Sequence, residues 1–368
     1  VPRVLHIASG DLWAGAEVQV CNLLFELRRR GDLALGALLL NDGELAARLR
    51  AGGIPVWIAP EGDLGFFALA AQVIARVRQF EATVIHSHRM KENLLASVAA
   101  LACRHAVAMR TVHGITEYPA PWYRADRRIL RWLDRFSADR IHRRVVVVSR
   151  ELQERGTMGV PPRVVYISNG VDVEKTRADA ARHAGVPRSP GTRTICFAGR
   201  LVPVKRVDLL IETAAVLENR HPGDYHFLIA GDGPLMESLK ALAIARGLER
   251  VCEFLGFRPD VLSIISRADV LVLTSDHEGM PMVVLEALAL GVPVVSHAVG
   301  GVVDIIREPR LGRLVADQDP ETYADAIEGL RTTLTEQPPV LLPEEYSARS
   351  SASHYVKLYR EIGSHNRV

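Results

Sequence analysis

A chain of 368 residues, 48% apolar and 24% charged, is long enough for two globular domains with separate cores, and no apolar run approaches the ~20 residues of a membrane-spanning helix. Its four cysteines (Cys21, Cys103, Cys196, Cys252) are scattered without a C-x-x-C pair, which argues against a disulfide framework or a thiolate metal site and fits a reducing compartment. The net charge of +2 is uneven: residues 1–172 carry 23 Lys/Arg against 17 Asp/Glu (+6) and the remainder 22 against 26 (−4), a weak pointer to an anionic acceptor or membrane surface.

Val1 is followed by neither a basic segment nor an apolar leader core, so no signal peptide is expected. Residues 4–8 read as a strand and 9–15 as a glycine-containing loop. Residues 16–30 read as an amphipathic helix, with Val18, Val20, Leu23, Leu24 and Leu27 on its apolar side and Gly31 at its end. Strand, glycine turn and helix bring backbone close to a phosphate, although the G-x-G-x-x-G fingerprint is absent; a plain tight turn is the alternative. Strand-like and helical runs then alternate through residue 103, which predicts a parallel sheet covered by helices on both faces. Ligands of such folds bind at the carboxyl ends of strands. His86 and His88 follow the strand at 83–85, and His113 follows the strand at 106–109. The H-x-H pair reads as a metal site lacking an evident third ligand, as buried hydrogen-bonded histidines, or as an active-site wall.

Residues 118–144 hold eight arginines against three aspartates, interleaved with Trp122, Tyr123, Trp132 and Phe136. Ile129, Trp132, Leu133 and Phe136 fall on one helical face. Either this face packs on the core with a solvated basic face opposite, or it meets anionic lipid or an acceptor, with Trp122 and Arg128 as candidate contacts. No nucleic-acid module accompanies the charge. Two further strands, at 144–149 and 164–167, lead to Asn169-Gly170-Val171-Asp172, and the polar stretch 174–193, with Gly185, Pro187, Pro190 and Gly191, reads as a linker.

A strand at 194–198 opens the second domain and runs into Gly199-Arg200-Leu201-Val202-Pro203-Val204-Lys205-Arg206. Arg200 and Lys205 supply a guanidinium fork and a point charge suited to a diphosphate. The strand at 227–230 ends in Gly231-Asp232-Gly233-Pro234, and 251–255 in Gly256-Phe257-Arg258-Pro259. The strand at 270–274 then ends in a loop carrying Glu278, and Pro281 suits the first turn of an apolar helix that Gly291 can end near Leu290. Glu286 sits inside that helix. A lone carboxylate there is costly unless satisfied, by an arginine or by the hydroxyls of a ligand. Two carboxylates for hydroxyls and a helix N-terminus for phosphate describe a sugar nucleotide. A tail from about 344 to 363 reads as a helix bearing Tyr355, Leu358 and Tyr359.

The E-x7-E spacing of Glu278 and Glu286, followed by Ala287-Leu288-Ala289-Leu290-Gly291-Val292-Pro293, resembles the retaining glycosyltransferases of the GT-B fold, family 4 type. The resemblance extends through Ala14-Gly15-Ala16-Glu17, where the family has G-G-A-E, and through the 199–206 and 169–172 motifs; Asp304 stands where the family has glutamate. It implies two Rossmann-like doubly wound domains facing across a cleft, with boundaries expected at 1–173, 174–193 (linker), 194–343 and a C-terminal helix 344–368 crossing back onto the first domain. It also implies a metal-independent retaining enzyme that uses a UDP-sugar or GDP-sugar and no cofactor, and transfers to a saccharide or lipid-linked acceptor. Bacterial surface-polysaccharide or glycolipid assembly, in the cytoplasm or against the inner face of the membrane, is the expected setting.

By the same resemblance His113, Arg200, Lys205 and Glu278 are catalytic. Gly15, Gly231, Gly233, the backbone around Phe257 and Arg258, the Gly279-Met280-Pro281-Met282 segment and Glu286 bind the donor, and His88 lies on the acceptor side. A sugar-nucleotide epimerase on this fold and a donor-binding subunit without turnover are the competing expectations.

Overall fold

The computed structural model describes residues 1–11, 13–114, 125–155, 163–183, 191–330 and 339–364. The chain divides into two compact units, Val1–Gly170 with Glu345–Val368, and Val171–Glu344.

The first unit alternates strand and helix as the hydrophobic pattern requires. In chain order these are β1 (Arg3–Ala8), α1 (Gly15–Arg30), β2 (Ala34–Leu39), α2 (Glu44–Ala51), β3 (Val56–Ile58), α3 (Phe66–Gln79), β4 (Val84–Ser87), α4 (Met90–Ala102), β5 (Val107–Val112), α5 (Ala125–Arg140), β6 (Arg144–Val147), α6 (Arg150–Glu154) and β7 (Val164–Tyr166). The strands pair in parallel in the order β3-β2-β1-β4-β5-β6-β7. The winding reverses between β1 and β4, and a crevice opens at the carboxyl ends of such a pair. The register sets His6 on β1 directly beside His86 on β4.

The second unit holds α7 (Val173–Ala181), β8 (Arg193–Ala198), a 3-10 turn (Pro203–Lys205), α8 (Val207–Arg220), β9 (Tyr225–Ala230), α9 (Met236–Ala245), β10 (Cys252–Gly256), α10 (Val261–Ile265), β11 (Val270–Leu273), α11 (Met282–Ala289), β12 (Val294–His297), α12 (Gly301–Ile305), β13 (Gly312–Val315) and α13 (Pro320–Glu328). Its parallel order, β10-β9-β8-β11-β12-β13, reverses between β8 and β11. β11 is buried along its whole length, which is why its sequence is uninterrupted Val and Leu rather than an alternation.

The chain expected as a linker departs from that reading. Residues 173–181 form α7, capped by Asp172, whose carboxylate accepts from the Lys175 backbone N–H at 3.0 Å. This helix packs against α10 and α11 of the second unit. Its polar composition marks an exposed face rather than an absence of structure; residues 184–190 lie outside the described residues.

The last helix, α14 (Ala348–Ser364), belongs to the first unit, where it packs on α1 and β4. Tyr355 and Tyr359, one turn apart, share its buried face with Val356 and Ile362. α5 resolves the two readings of the arginine-rich stretch differently from core packing. Ile129, Trp132, Leu133 and Phe136 are exposed among the described residues, and the Trp132 and Phe136 rings stack at 5.6 Å. What anchors this helix is polar: Asp134 accepts from Arg110 at 2.8 Å and from Asn93 at 3.0 Å.

Candidate active site

Both loops of the second unit expected to hold a sugar nucleotide leave the switch-point strands. The first follows β8 and carries Arg200, which is exposed, and Lys205 on the 3-10 turn. The second follows β11 and carries Glu278. Lys205 Nζ donates to Glu278 Oε1 at 2.6 Å, and the Ser275 hydroxyl donates to the same oxygen at 2.7 Å. The two loops are stitched further by the Thr274 hydroxyl to the Lys205 carbonyl (2.8 Å) and the Asp276 N–H to the Val204 carbonyl (2.8 Å). The cation and the carboxylate, separately expected to meet diphosphate and sugar, are each other's partner in this structure.

α11 begins beside this pair. Pro281 is its N-cap, and a Schellman closure ends it: the Gly291 N–H reaches the Leu288 carbonyl at 3.1 Å and the Val292 N–H the Ala287 carbonyl at 2.8 Å. Gly291 adopts φ 83°, which only glycine takes without strain. Glu286 projects from this apolar helix and is half-buried. Among the described residues no arginine pairs with it and no hydrogen bond reaches its carboxylate. Desolvation pushes the carboxyl up to about 7, opposed by the charge of Lys175 on α7.

The glycines nearby are fixed by close backbone approaches. A Cβ on Gly231 would lie 1.8 Å from the Gly199 carbonyl oxygen, and one on Gly233 would lie 2.4 Å from that of Leu201, so these residues hold the Arg200 loop against the β9 loop. Gly300 has φ 54°, and a Cβ there would sit 2.0 Å from the Glu278 carbonyl oxygen. Gly301 donates to the Gly279 carbonyl at 2.6 Å. Gly300→Ala is expected to displace the Glu278 loop, with a stability loss of about 1–3 kcal/mol. Thermal unfolding checks this; an unchanged midpoint would show that the loop tolerates the displacement.

In the first unit, polar groups gather at the carboxyl ends of β1, β4 and β5. His6 Nδ1 lies 3.1 Å from His88 Nε2, and His88 Nδ1 lies 3.1 Å from His113 Nε2. His86 Nδ1 lies 2.7 Å from the Tyr359 hydroxyl, and its Nε2 lies 2.8 Å from the Thr111 hydroxyl. Burial pulls His6 down to about 3 and His113 down to about 4, and holds His86 and His88 well below the ordinary range, so all four rings are neutral. His6, His86 and His88 could in principle share a cation, their ligand atoms lying within 4.8 Å of one another, but each of their ring nitrogens already has a hydrogen-bond partner. Close by, Arg89 pairs with Glu17 and Asp11. Among the described residues Glu17 Oε2 and Glu92 Oε1 are buried without a partner, and desolvation raises Glu92 to about 7.

Residues 13–175 match the family described as Glycosyltransferase Family 4, and residues 181–333 match Glycosyl transferases group 1. The chain belongs to the GT-B glycosyltransferases of the family 4 type. It is 34% identical to a D-inositol 3-phosphate glycosyltransferase of Corynebacterium urealyticum over 57% of this chain and 54% of that protein. It is 29% identical to the UDP-Gal:alpha-D-GlcNAc-diphosphoundecaprenol alpha-1,3-galactosyltransferase of Escherichia coli over 66% and 65% of the two chains. The matches thus span between about half and two thirds of these relatives' own lengths. The crystal structure of Anabaena HepE in complex with UDP-glucose superposes with a TM-score of 0.75 at 21% identity, over 99% of this chain and 98% of that one.

The structure brings some of the expected site residues together and not others. Lys205 and Glu278 are brought together; Arg200 stands on the loop after β8, Gly279, Met280, Pro281 and Met282 lead from Glu278 into α11, which carries Glu286, and Gly231 and Gly233 hold the β9 loop against the Arg200 loop. Phe257 is exposed beyond β10, while Arg258 is held by Asp260 through two bonds of 2.8 and 2.7 Å. Gly15 opens α1, and Ala14 before it is extended at φ −136°, so its side chain in place of the family's glycine needs no unusual backbone. His88 is buried, and both its ring nitrogens are engaged, by His6 and His113. Arg128 is exposed on α5, and Trp122 lies outside the described residues. Sequence reasoning missed His6, Glu92 and Lys175; a histidine inside the buried run Val4-Leu5-His6-Ile7 was the one local signal available.

Proposed function

We propose that this protein is a retaining glycosyltransferase that moves a sugar from a nucleoside diphosphate, UDP by preference, to a saccharide or lipid-linked acceptor. The carrying observation is Glu286, a desolvated carboxylate without a hydrogen bond among the described residues, on the helix that follows a Lys205–Glu278 pair at a strand switch point. In this reading Glu286 accepts from the ribose hydroxyls and Glu278 from the sugar hydroxyls. Lys205 and Arg200 turn to the diphosphate, where developing charge is the catalytic term to expect. The bond from the sugar C1 to the diphosphate oxygen breaks with its electron pair going to the diphosphate. The acceptor oxygen adds to C1 from the same face, and its proton passes to a diphosphate oxygen. No metal step is required.

UDP is favoured because Anabaena HepE is described in complex with UDP and UDP-glucose, and because the E. coli relative is named for UDP-Gal. The exposed apolar face of α5, among arginines, supports contact with an anionic membrane surface and hence a lipid-linked acceptor in surface-polysaccharide or glycolipid assembly. Among the described residues no helix is long and apolar enough to cross a membrane.

The test is nucleotide release from UDP-, GDP- and ADP-sugars, with and without anionic vesicles and simple acceptors. Release from a UDP-sugar, stimulated by vesicles carrying a polyprenyl-linked saccharide, is expected. Tight UDP binding with no release from any donor would replace this reading with that of a donor-binding subunit. Release from a GDP- or ADP-sugar alone would overturn the donor.

A further inference from the structure

The Lys205–Glu278 contact requires two loops to keep their places, and the residue after Lys205 breaks the local rules of backbone geometry where those loops meet. Arg206 has φ 47° and ψ 45°. It stands alone between two right-handed segments, closing the 3-10 turn Pro203–Lys205 and opening α8. Among the described residues only Glu81 shares such a backbone without being glycine. A left-handed residue favours glycine or asparagine, and a helix N-cap favours a short polar side chain. Arginine serves neither purpose, and its side chain makes no capping bond to α8. The reason for an arginine lies in what its guanidinium reaches.

The guanidinium divides its donors among three partners. Nε and Nη2 each donate to Asp208 Oδ2 at 3.1 Å, on the first turn of α8. Nη1 donates to Gln318 Oε1 at 2.7 Å and lies 3.5 Å from Asp276 Oδ1. Because Arg206 takes the amide oxygen of Gln318, the amide nitrogen is left to donate, and it does so to Asp276 Oδ1 at 2.6 Å. Arg206 stands on the loop after β8, Asp276 on the loop after β11 and Gln318 beyond β13, so one side chain ties three strand ends of the same sheet. Lys205 lies inside this tie. The Val204 carbonyl before it accepts from the Asp276 N–H, its own carbonyl accepts from the Thr274 hydroxyl, and the Arg206 guanidinium after it returns to the Asp276 carboxylate. Glu278, the partner of Lys205, is two residues beyond Asp276.

We infer that Arg206 is a positioning residue for Lys205: its guanidinium, through Asp276 and Gln318, holds the β8 loop on the β11 loop, so that Lys205 Nζ is presented to Glu278 and, in the donor complex, to the diphosphate. The diphosphate half rests on the function proposed above, and the Lys205–Glu278 half does not. Arg206 itself touches neither donor nor acceptor in this assignment. Its side chain offsets the strain of its own backbone and spends the remaining donors on the loop that carries Glu278.

The first test is a pair of double-mutant cycles on the full chain without ligand. Urea unfolding of the wild type, Lys205→Ala, Glu278→Ala and the double variant gives the Lys205–Glu278 coupling, and the same four proteins carrying Arg206→Gly give it again. Glycine takes the left-handed backbone without strain, so Arg206→Gly removes the guanidinium and leaves the turn. The coupling is expected to fall to less than about half on the glycine background. An unchanged coupling would overturn the inference.

The second test is calorimetric titration with UDP. Arg206→Gly is expected to weaken binding by about tenfold, the scale of a displaced charge-bearing group. Arg206→Lys should behave nearly as badly, because an ammonium cannot span Asp208, Gln318 and Asp276 together. Once Lys205 is alanine, Arg206→Gly should have no further effect on UDP. A loss that persists in that background would show the guanidinium meeting the nucleotide directly, and would overturn a positioning role. UDP affinity kept in Arg206→Gly but lost in Arg206→Ala would show that backbone freedom alone sets Lys205, which also overturns it. A wild-type protein that binds no UDP would count against the proposed function, and the unfolding cycles would then decide this inference by themselves. If Arg206→Gly fails to fold, Arg206→Lys takes its place in both tests.

Discussion

Glu286→Gln is expected to stabilise the protein at pH 8 by up to about 3 kcal/mol and to leave its stability unchanged near pH 4. The folded carboxyl titrates at about 7, whereas an unperturbed glutamate titrates at 4.5. Between those values the folded form holds a proton that the unfolded chain has released. Stability therefore falls as pH rises through this window, and above it the full desolvation cost of the charged form is in place. Glutamine mimics the protonated side chain and removes that cost. The same change should weaken UDP binding by roughly thirtyfold, because ribose hydroxyls bond more strongly to a carboxylate than to an amide. Binding to the wild-type protein should accordingly strengthen as pH rises toward 7. Urea unfolding at the two pH values and calorimetric titration with UDP read both effects. Equal stabilisation at pH 4 would mean that charge desolvation is not the cause, and unchanged UDP affinity would remove Glu286 from the ribose.

The second large effect is expected at Lys205. Lys205→Ala should lower turnover by about 10²–10³-fold, the range seen when one charge-stabilising donor is removed from an active site. It should also cost about 3 kcal/mol of stability, because Glu278, only 9% exposed, loses its cation. The pairing offers a way to separate the two roles. Glu278→Ala frees Lys205 for the diphosphate, so it should bind UDP at least as tightly as the wild type while losing turnover of the UDP-sugar. Lys205→Ala should bind UDP poorly, and the double variant should regain stability but not UDP affinity. A Lys205→Ala protein that kept its UDP affinity would reduce Lys205 to a counter-ion of Glu278.

Both experiments probe a site whose parts were unequally legible. The donor loops could be read because their chemistry is local: Arg200 and Lys205 follow one strand within a few residues, and Glu278 and Glu286 span one loop and two turns of one helix. Proline at the start of α11 and glycine at its end fix those bounds by backbone geometry alone. The alternation of apolar runs and amphipathic segments likewise carries the parallel, doubly wound architecture, because a strand buried on both faces must be apolar throughout. The stretch 173–181 was misread as a linker for the same local reason, since few apolar residues are needed where a short helix buries only Thr176 and Ala180.

The sequence by itself determined which side chains stand at the carboxyl ends of strands, and with them the fold class and the donor-loop residues. It could not determine which strands are neighbours, and that is what the tertiary structure decided. Crossovers at β1–β4 and β8–β11 set His6 beside His86, and Lys205 on Glu278 across 73 residues. The docking of α14 brings Tyr359 to His86 across 273 residues. An amphipathic pattern states that a helix has an apolar face, not what covers it, so α5 and α14 looked alike in sequence. One exposes its aromatic residues and the other buries its tyrosines, because only α14 finds a sheet to close over.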